Sequence, residues 1–260
     1  ATTEIYTLSL HDALPICDFL ELGAVSVKRK SSDLTEFYIQ FLIVVYLLWS
    51  FPVLSFGQKE VLVPADGTVS EGEEQPVVAL TFDDGPSGTS TPVLLEGLRK
   101  RGVRATFFVV GENVEKGENA QILREMSADG HLIGNHTYHH VNLSKMSAEQ
   151  AQAELDATDE LVRKITGKYP IYARAPYGEV PENGDVDRQR FYIGWTVDPL
   201  DWMTEDVSRI TQSVLEKVEP GDIILLHDSY LSSVQAALRI VDALQGKGYE
   251  FITVDQMISD

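Results

Sequence analysis

The segment Gly-Asn-His-Thr-Tyr-His-His at 134–140 holds three of the chain's six histidines. Imidazole is the commonest protein metal ligand and changes charge near neutral pH, so the cluster points to metal binding or proton transfer. His136 and His140 stand four apart, a spacing that in a helical turn puts both rings on one face. His139 would point elsewhere in that geometry. Alone, such a pattern is also what surface or core histidines give. Other reactive types lie in Asp83-Asp84-Gly85-Pro86, in Arg174-Ala175-Pro176-Tyr177-Gly178, in Asp198-Pro199-Leu200-Asp201-Trp202 and in His227-Asp228. Each has an ordinary reading. Asp83, Asp84, Asp198 and Asp201 suit turns, Arg174 suits a surface salt bridge, and His227 suits a core histidine with its hydrogen bonds met. His131 opens an apolar run and reads as structural.

The elements around these residues decide between the readings. PVVALTF (76–82), ATFFVV (105–110), HLIGN (131–135), a short run at 171–173, YIGWTV (192–197), DIILL (222–226) and YEFITV (249–254) read as buried strands. Helices fall between them. Pro92 suits a first helical residue in a segment closing at Gly102, and AQILREMSADG (120–130) follows. Ser147 and Gln150 form a capping box for a helix with the stripe Ala148, Ala151, Leu155, Val162 and Ile165, ended by Gly167. Segments 207–218 and 233–245 are helical in pattern. Strands alternating with helices imply a parallel sheet, open or closed into a barrel, with functional residues at the carboxyl ends of the strands. Every reactive group named above follows a strand. Independent ordinary readings for all of them are improbable.

Composition narrows the chemistry. Residues 1–57 account for three of the 21 basic and six of the 40 acidic side chains, leaving 18 and 34, a net charge of −16, in residues 58–260. Such a surface repels phosphate backbones and excludes nucleic acid as a partner. The single cysteine is Cys17, so a metal in residues 58–260 must be held by His, Asp or Glu. Residues 1–16 resemble the in-frame translation of a sequencing adapter and are set aside. Within 17–57, Lys28-Arg29-Lys30 precedes the uncharged run 37–57, long enough for a membrane anchor or a secretory signal. A buried core helix is the lesser alternative. Export is expected, with cleavage or anchoring left open and membrane contact confined to an uncleaved anchor. Residues 58–75, rich in Gly and acids, read as a linker, and 76–260 as the catalytic domain.

TFDDGP (81–86), HTYHH (136–140), RAPYG (174–178), DPLDW (198–202) and LLHD (225–228) stand in the order found in the polysaccharide deacetylases of carbohydrate esterase family 4, the NodB homology domain, which residues 76–260 resemble. The resemblance implies an α/β fold, a distorted (β/α) barrel with about seven parallel strands. It also implies one divalent metal ion, usually Zn2+ with Co2+ or another divalent ion possible, on Asp84, His136 and His140. By the same resemblance Asp83 takes the place of the general base and His227 that of the acid. Arg174 matches the arginine that orients the base, Asp201 the carboxylate paired with the acid, and the Tyr177 N–H the oxyanion donor. Trp202 and Leu225 resemble the pocket for the acetyl methyl. Val141, Ala173 and His139 stand where the family commonly has proline, an aromatic residue and serine. These differences bear on the shape of the groove rather than on ligands, acid or base.

The expectation is an exported metal-dependent hydrolase removing N-acetyl groups from N-acetylglucosamine-containing polysaccharide, either peptidoglycan or chitin-type oligomers. An O-acetyl esterase on xylan or another acetylated glycan would use the same metal and base. A non-catalytic glycan-binding domain is the third reading, disfavoured because the reactive residues of every motif are retained. The sequence carries no signal of oligomeric state.

Overall fold

In the computed structural model the described residues are 75–180 and 190–259, all within one compact unit, Ser70–Asp260. The adapter-like residues 1–16, the basic cluster and apolar run of 17–57, and the linker up to residue 74 lie outside them. Among the described residues no helix is long and apolar enough to cross a membrane.

The apolar run around Leu80 becomes strand β1 (Val77–Asp83), buried along nearly its whole length. Burial on both faces is the environment a continuous hydrophobic run suits. Val78, Leu80 and Phe82 face outward and pack with Leu94, Leu98, Ile240 and Leu244 of the surrounding helices. The alternate residues Ala79, Thr81 and Asp83 share the opposite face, because successive side chains alternate. β1 pairs along Ala79–Asp83 with β6 (Ile223–His227). Along its other edge it meets β7 (Glu250–Ile252) first and then β2 (Thr106–Val109), Ala79 being the partner of both Ile223 and Ile252. β3 (Leu132–Asn135), β4 (Tyr172–Ala173) and β5 (Phe191–Tyr192) continue the sheet beyond β2, giving seven parallel strands.

Past β5 the chain returns to β6 through a single parallel bridge, Val197 to Ile224, so the sheet curls back on itself. This is the expected distorted (β/α) barrel. The helices are α1 (Thr91–Arg101), α2 (Gly111–Glu115), α3 (Asn119–Ala128), α4 (Ala148–Thr166), α5 (Val207–Leu215), α6 (Leu231–Gly246) and α7 (Val254–Ser259).

Three local readings are corrected. The strand expected over 192–197 forms only as Phe191–Tyr192 and the Val197 bridge. The Ile193 and Gly194 carbonyls, which a longer strand would give to a neighbour, accept instead from Nε and Nη2 of Arg174, at 3.1 and 2.8 Å. The last strand stops at Ile252 rather than running to 254. There Thr253 N–H and Oγ1 both bond Gln256 Oε1, at 3.1 and 2.9 Å, and α7 starts. On α4 the Ser147–Gln150 capping box forms and Gly167 ends the helix at φ 76°. Ala151, Leu155 and Val162 of its stripe are buried, but Ala148, in the first turn, is exposed.

Candidate active site

Parallel register brings the first pair of groups together. Asp83 ends β1 directly beside His227, the last residue of β6. On the inner face of β1 the Arg174 guanidinium reaches both Thr81 and Asp83, two residues apart. Nη1 donates to Thr81 Oγ1 at 2.7 Å and to Asp83 Oδ1 at 2.9 Å. Arg174 is 1% exposed, and its guanidinium lies 4.3 Å from the Phe108 ring centroid and 5.6 Å from that of Trp195. A buried guanidinium is tolerated only when paired and hydrogen-bonded, and here Asp83 supplies the countercharge. Asp83 itself is 4% exposed. With Oδ1 occupied, Oδ2 is its remaining acceptor.

Asp84 turns away from the strand at φ 71°, a left-handed conformation Asp adopts more readily than most residues. Asn113 Nδ2 donates to its carbonyl at 2.7 Å and fixes the turn. Asp84 Oδ1 then lies 3.4 Å from His136 Nε2 and 3.2 Å from His140 Nε2. The histidines do not converge through a helical turn, as their spacing suggested. They sit on a loop after β3 in which Thr137 and His140 take φ 64° and 54°. His136 Nδ1 lies 2.7 Å from the Arg174 carbonyl oxygen. A carbonyl only accepts, so Nδ1 carries the proton and Nε2 presents its lone pair toward Asp84.

These three side chains can each offer one ligand atom, all within 4.8 Å of one another. Asp84 Oδ1 is buried yet accepts no hydrogen bond. Acceptor atoms converging this closely on an orphaned carboxylate oxygen fit a bound cation, and one Asp with two His is a donor set that leaves positions open for catalysis. Burial pushes the Asp84 carboxyl up, but His136 and His140, when protonated, outweigh that by hydrogen bonding and positive charge and hold it well below the usual carboxylate range. A cation bound between neutral rings would stabilise the carboxylate in the same way.

The other wall is His227. Its Nδ1 lies 2.8 Å from Asp201 Oδ1, and its backbone N–H donates to Asp201 Oδ2 at 2.9 Å. Asp201 is 1% exposed, so this clamp is dry. Burial alone would lower the His227 pKa. The Asp201 hydrogen bond and the charges of Asp201, Asp83 and Asp84 outweigh it and raise the value to about 9.

Asp83, Asp84, His136, His140, His227, Tyr177, Trp202 and Leu225 line one cleft of about 430 Å3. Arg174 and Asp201 stand behind Asp83 and His227. Tyr177 is 67% exposed at φ 64° on the cleft rim. His139 lies outside the cluster, its Nδ1 2.8 Å from Glu154 Oε1. His131 is structural as expected. Its Nδ1 accepts the Ala105 N–H at 3.0 Å, and burial lowers its pKa to about 4. Trp195 and Tyr230 also line the cleft and were not singled out from sequence. Trp195 was hidden inside an apparent strand. Tyr230, three residues past His227, had position as its one signal.

The glycine of TFDDGP has a specific reason. A Cβ at Gly85 would come within 2.3–2.6 Å of the Asp228 carboxylate. Asp228 is fully buried, accepts from Thr91 Oγ1 at 2.5 Å, and burial pushes its pKa up to about 7. It has no free direction in which to move. Gly85→Ala is expected to destabilise the protein by about 1–3 kcal/mol, the usual cost of overpacking, measured by denaturant unfolding. An unchanged midpoint would mean that the loop accommodates the methyl.

Residues 70–189 match the family model for polysaccharide deacetylase. A peptidoglycan-N-acetylglucosamine deacetylase of Bacillus cereus is 38% identical over 187 residues, 69% of this chain and 67% of that protein. The structure of the peptidoglycan deacetylase PdaC from Bacillus subtilis superposes with a TM-score of 0.69 at 34% identity, covering 72% of this chain and 91% of that one. The chain nevertheless spans only 41% of full-length PdaC. A family 4 acetyl xylan esterase from Clostridium thermocellum, in complex with a cobalt ion, superposes with a TM-score of 0.66 at 33% identity, covering 70% and 90%. Identity of this extent over two thirds of a relative, joined to the same barrel, fixes the ancestry: the chain belongs to the polysaccharide deacetylase family.

Proposed function

We propose that this protein is a metal-dependent deacetylase that hydrolyses N-acetyl groups of N-acetylglucosamine-containing polysaccharide, of peptidoglycan or chitin type. One observation carries the reading. A cation-ready Asp84–His136–His140 cluster shares a single cleft with a carboxylate held by arginine on one side and an imidazole held by carboxylate on the other.

Asp84, His136 and His140 would hold a divalent ion, zinc in this reading, which would supply the positive charge that polarises the acetyl carbonyl and acidifies the attacking water. Asp83 accepts the water's proton on Oδ2 while Arg174 holds Oδ1 and fixes the carboxylate's orientation. The Tyr177 backbone N–H donates to the oxygen on which negative charge develops. His227 delivers a proton to the departing nitrogen from Nε2, and Asp201 holds the ring by Nδ1. Trp202 and Leu225 enclose the acetyl methyl. The names of the Bacillus relatives support a cell-wall glycan as substrate. The apolar run 37–57 and that substrate class together support an extracytoplasmic location.

The likeness to the acetyl xylan esterase supports a second reading, O-deacetylation of xylan or another acetylated glycan. Acetate release separates the two. Chelator-treated protein and protein reloaded with Zn2+ or Co2+ are compared on N-acetylglucosamine oligomers and on acetylated xylan. Release from the amino sugar, abolished by chelation and restored by metal, is the expected result. Release from xylan alone selects the esterase. Activity indifferent to chelation overturns the metal-dependent reading altogether.

A further inference from the structure

The loop bearing His136 and His140 is strained. Thr137, β-branched, sits at φ 64° between them and His140 at φ 54°. Non-glycine residues in this region cost about 1–3 kcal/mol each and persist only where their surroundings over-determine them. Those surroundings come from α4. Asn135, at the end of β3, donates from Nδ2 to Asp159 Oδ1 at 2.6 Å and to the Leu155 carbonyl at 2.7 Å. Its Oδ1 accepts the Thr137 N–H at 2.7 Å. Glu154 Oε2 accepts the N–H groups of Tyr138 and His139, at 3.1 and 2.9 Å.

We propose that Asp159 and Glu154 of α4 are positioning residues that hold the histidine loop in ligand geometry before the cation arrives. The inference rests on the metal site proposed above. An ionised carboxylate has no proton to give, so only the NH2 side of the Asn135 amide can face Asp159. That orientation places Asn135 Oδ1 on the Thr137 N–H and sets the left-handed turn. Arg190, 6% exposed, donates from Nε to Asp159 Oδ2 at 2.5 Å and from Nη2 to Asp156 Oδ1 at 2.6 Å. Burial pushes the Asp159 pKa up to about 6, which Asn135 and Arg190 oppose, so the group is ionised at neutral pH. Glu154 secures the next two amides, leaving His139 turned outward and His140 inward. The chain from Arg190 through Asp159, Asn135 and Thr137 thus ends between the two histidine ligands.

The test is metal affinity in the whole protein, by competition of Zn2+ or Co2+ against a chromophoric chelator. Asp159→Asn is nearly isosteric but can offer an NH2 to Asn135 and let its amide turn over. Glu154→Ala removes the carboxylate oxygen that accepts both loop N–H groups, at a helix position where alanine is favourable, so folding is retained even if the buried substitution fails. Both variants are expected to weaken metal binding about 10–100-fold, the usual effect of removing a group that orients a ligand. At saturating metal, kcat and KM should stay within a few-fold of wild type, because ligands, base and acid are intact. Wild-type affinity in Glu154→Ala, or in folded Asp159→Asn with only thermal stability lowered, overturns the inference. Wild-type protein that takes up no ion overturns the functional reading along with it.

Discussion

Asp83→Asn is expected to lower kcat for acetate release by about 10²–10⁴-fold, the range a positioned general base contributes, while the bound metal stays at the wild-type amount. The amide keeps the shape of the side chain and an oxygen that can accept from Arg174 Nη1, as Asp83 Oδ1 does at 2.9 Å. What it loses is the ability to take a proton. Asp84→Asn should lose the metal, and acetate release with it. Asp84 Oδ1 faces both imidazoles at 3.2–3.4 Å and has no other partner, so weakening its charge removes the metal first. Elemental analysis beside acetate release distinguishes the two variants. Metal lost from Asp83→Asn and retained by Asp84→Asn would show the two aspartates assigned the wrong way round. Asp83→Asn also leaves Arg174 buried without its countercharge. Breaking a buried pair costs about 3–5 kcal/mol, so the comparison must be made well below the variant's thermal midpoint. The three further bonds of Arg174, to Thr81 Oγ1 and to the Ile193 and Gly194 carbonyls, limit that cost.

The reach of the sequence follows the range of the interactions involved. Strand and helix alternation was legible because each element carries its own periodicity, and reactive residues fall after strands because the fold places sites there. The strand-end rule puts Asp83 and His227 at the same end of the sheet, while their standing side by side follows from the register of β1 and β6. Geometry that depends on partners far along the chain was not legible. His136 and His140 converge through left-handed loop residues rather than a helical turn, and what imposes that loop is Asp159, 24 residues past Asn135, with Arg190 beyond it. Strand 192–197 failed because a buried arginine from another element takes its carbonyls. In one case the deciding signal is local: Thr253 and Gln256 have capping-box spacing, and their contacts end the strand although Val254 continues the apolar run. The ordinary reading holds in part for Asp198, whose Oδ1 accepts the Leu200 N–H at 2.8 Å as a turn former while the residue also lines the cleft. It failed for Asp201, three residues on, because that carboxylate finds an imidazole from β6.

His227→Ala is expected to reduce turnover of N-acetyl amides by about 10²–10⁴-fold and that of activated acetyl esters by far less. An amine leaves as a very poor anion and must be protonated as the C–N bond breaks, whereas an activated alkoxide or phenoxide departs unaided. Equal losses on both substrate types would count against His227 as the acid. Its protonation gives an independent reading. The folded pKa, about 9, lies above the ordinary 6.5, so the imidazolium persists through neutral pH. The stabilisation that accompanies this shift is therefore complete below pH 6.5 and is lost as pH rises through 9. The limb of kcat/KM that falls with increasing pH should follow the same group. Asp201 supplies the first of the raising influences, so Asp201→Asn should move that limb down toward 6.5 while leaving the metal in place. A cation on Asp84 offsets one of the negative charges that raise His227, which places the limb of loaded protein below that of the metal-free titration. A limb that ignores the Asp201 substitution belongs to some other group, and the proton would then reach the departing nitrogen by a different route.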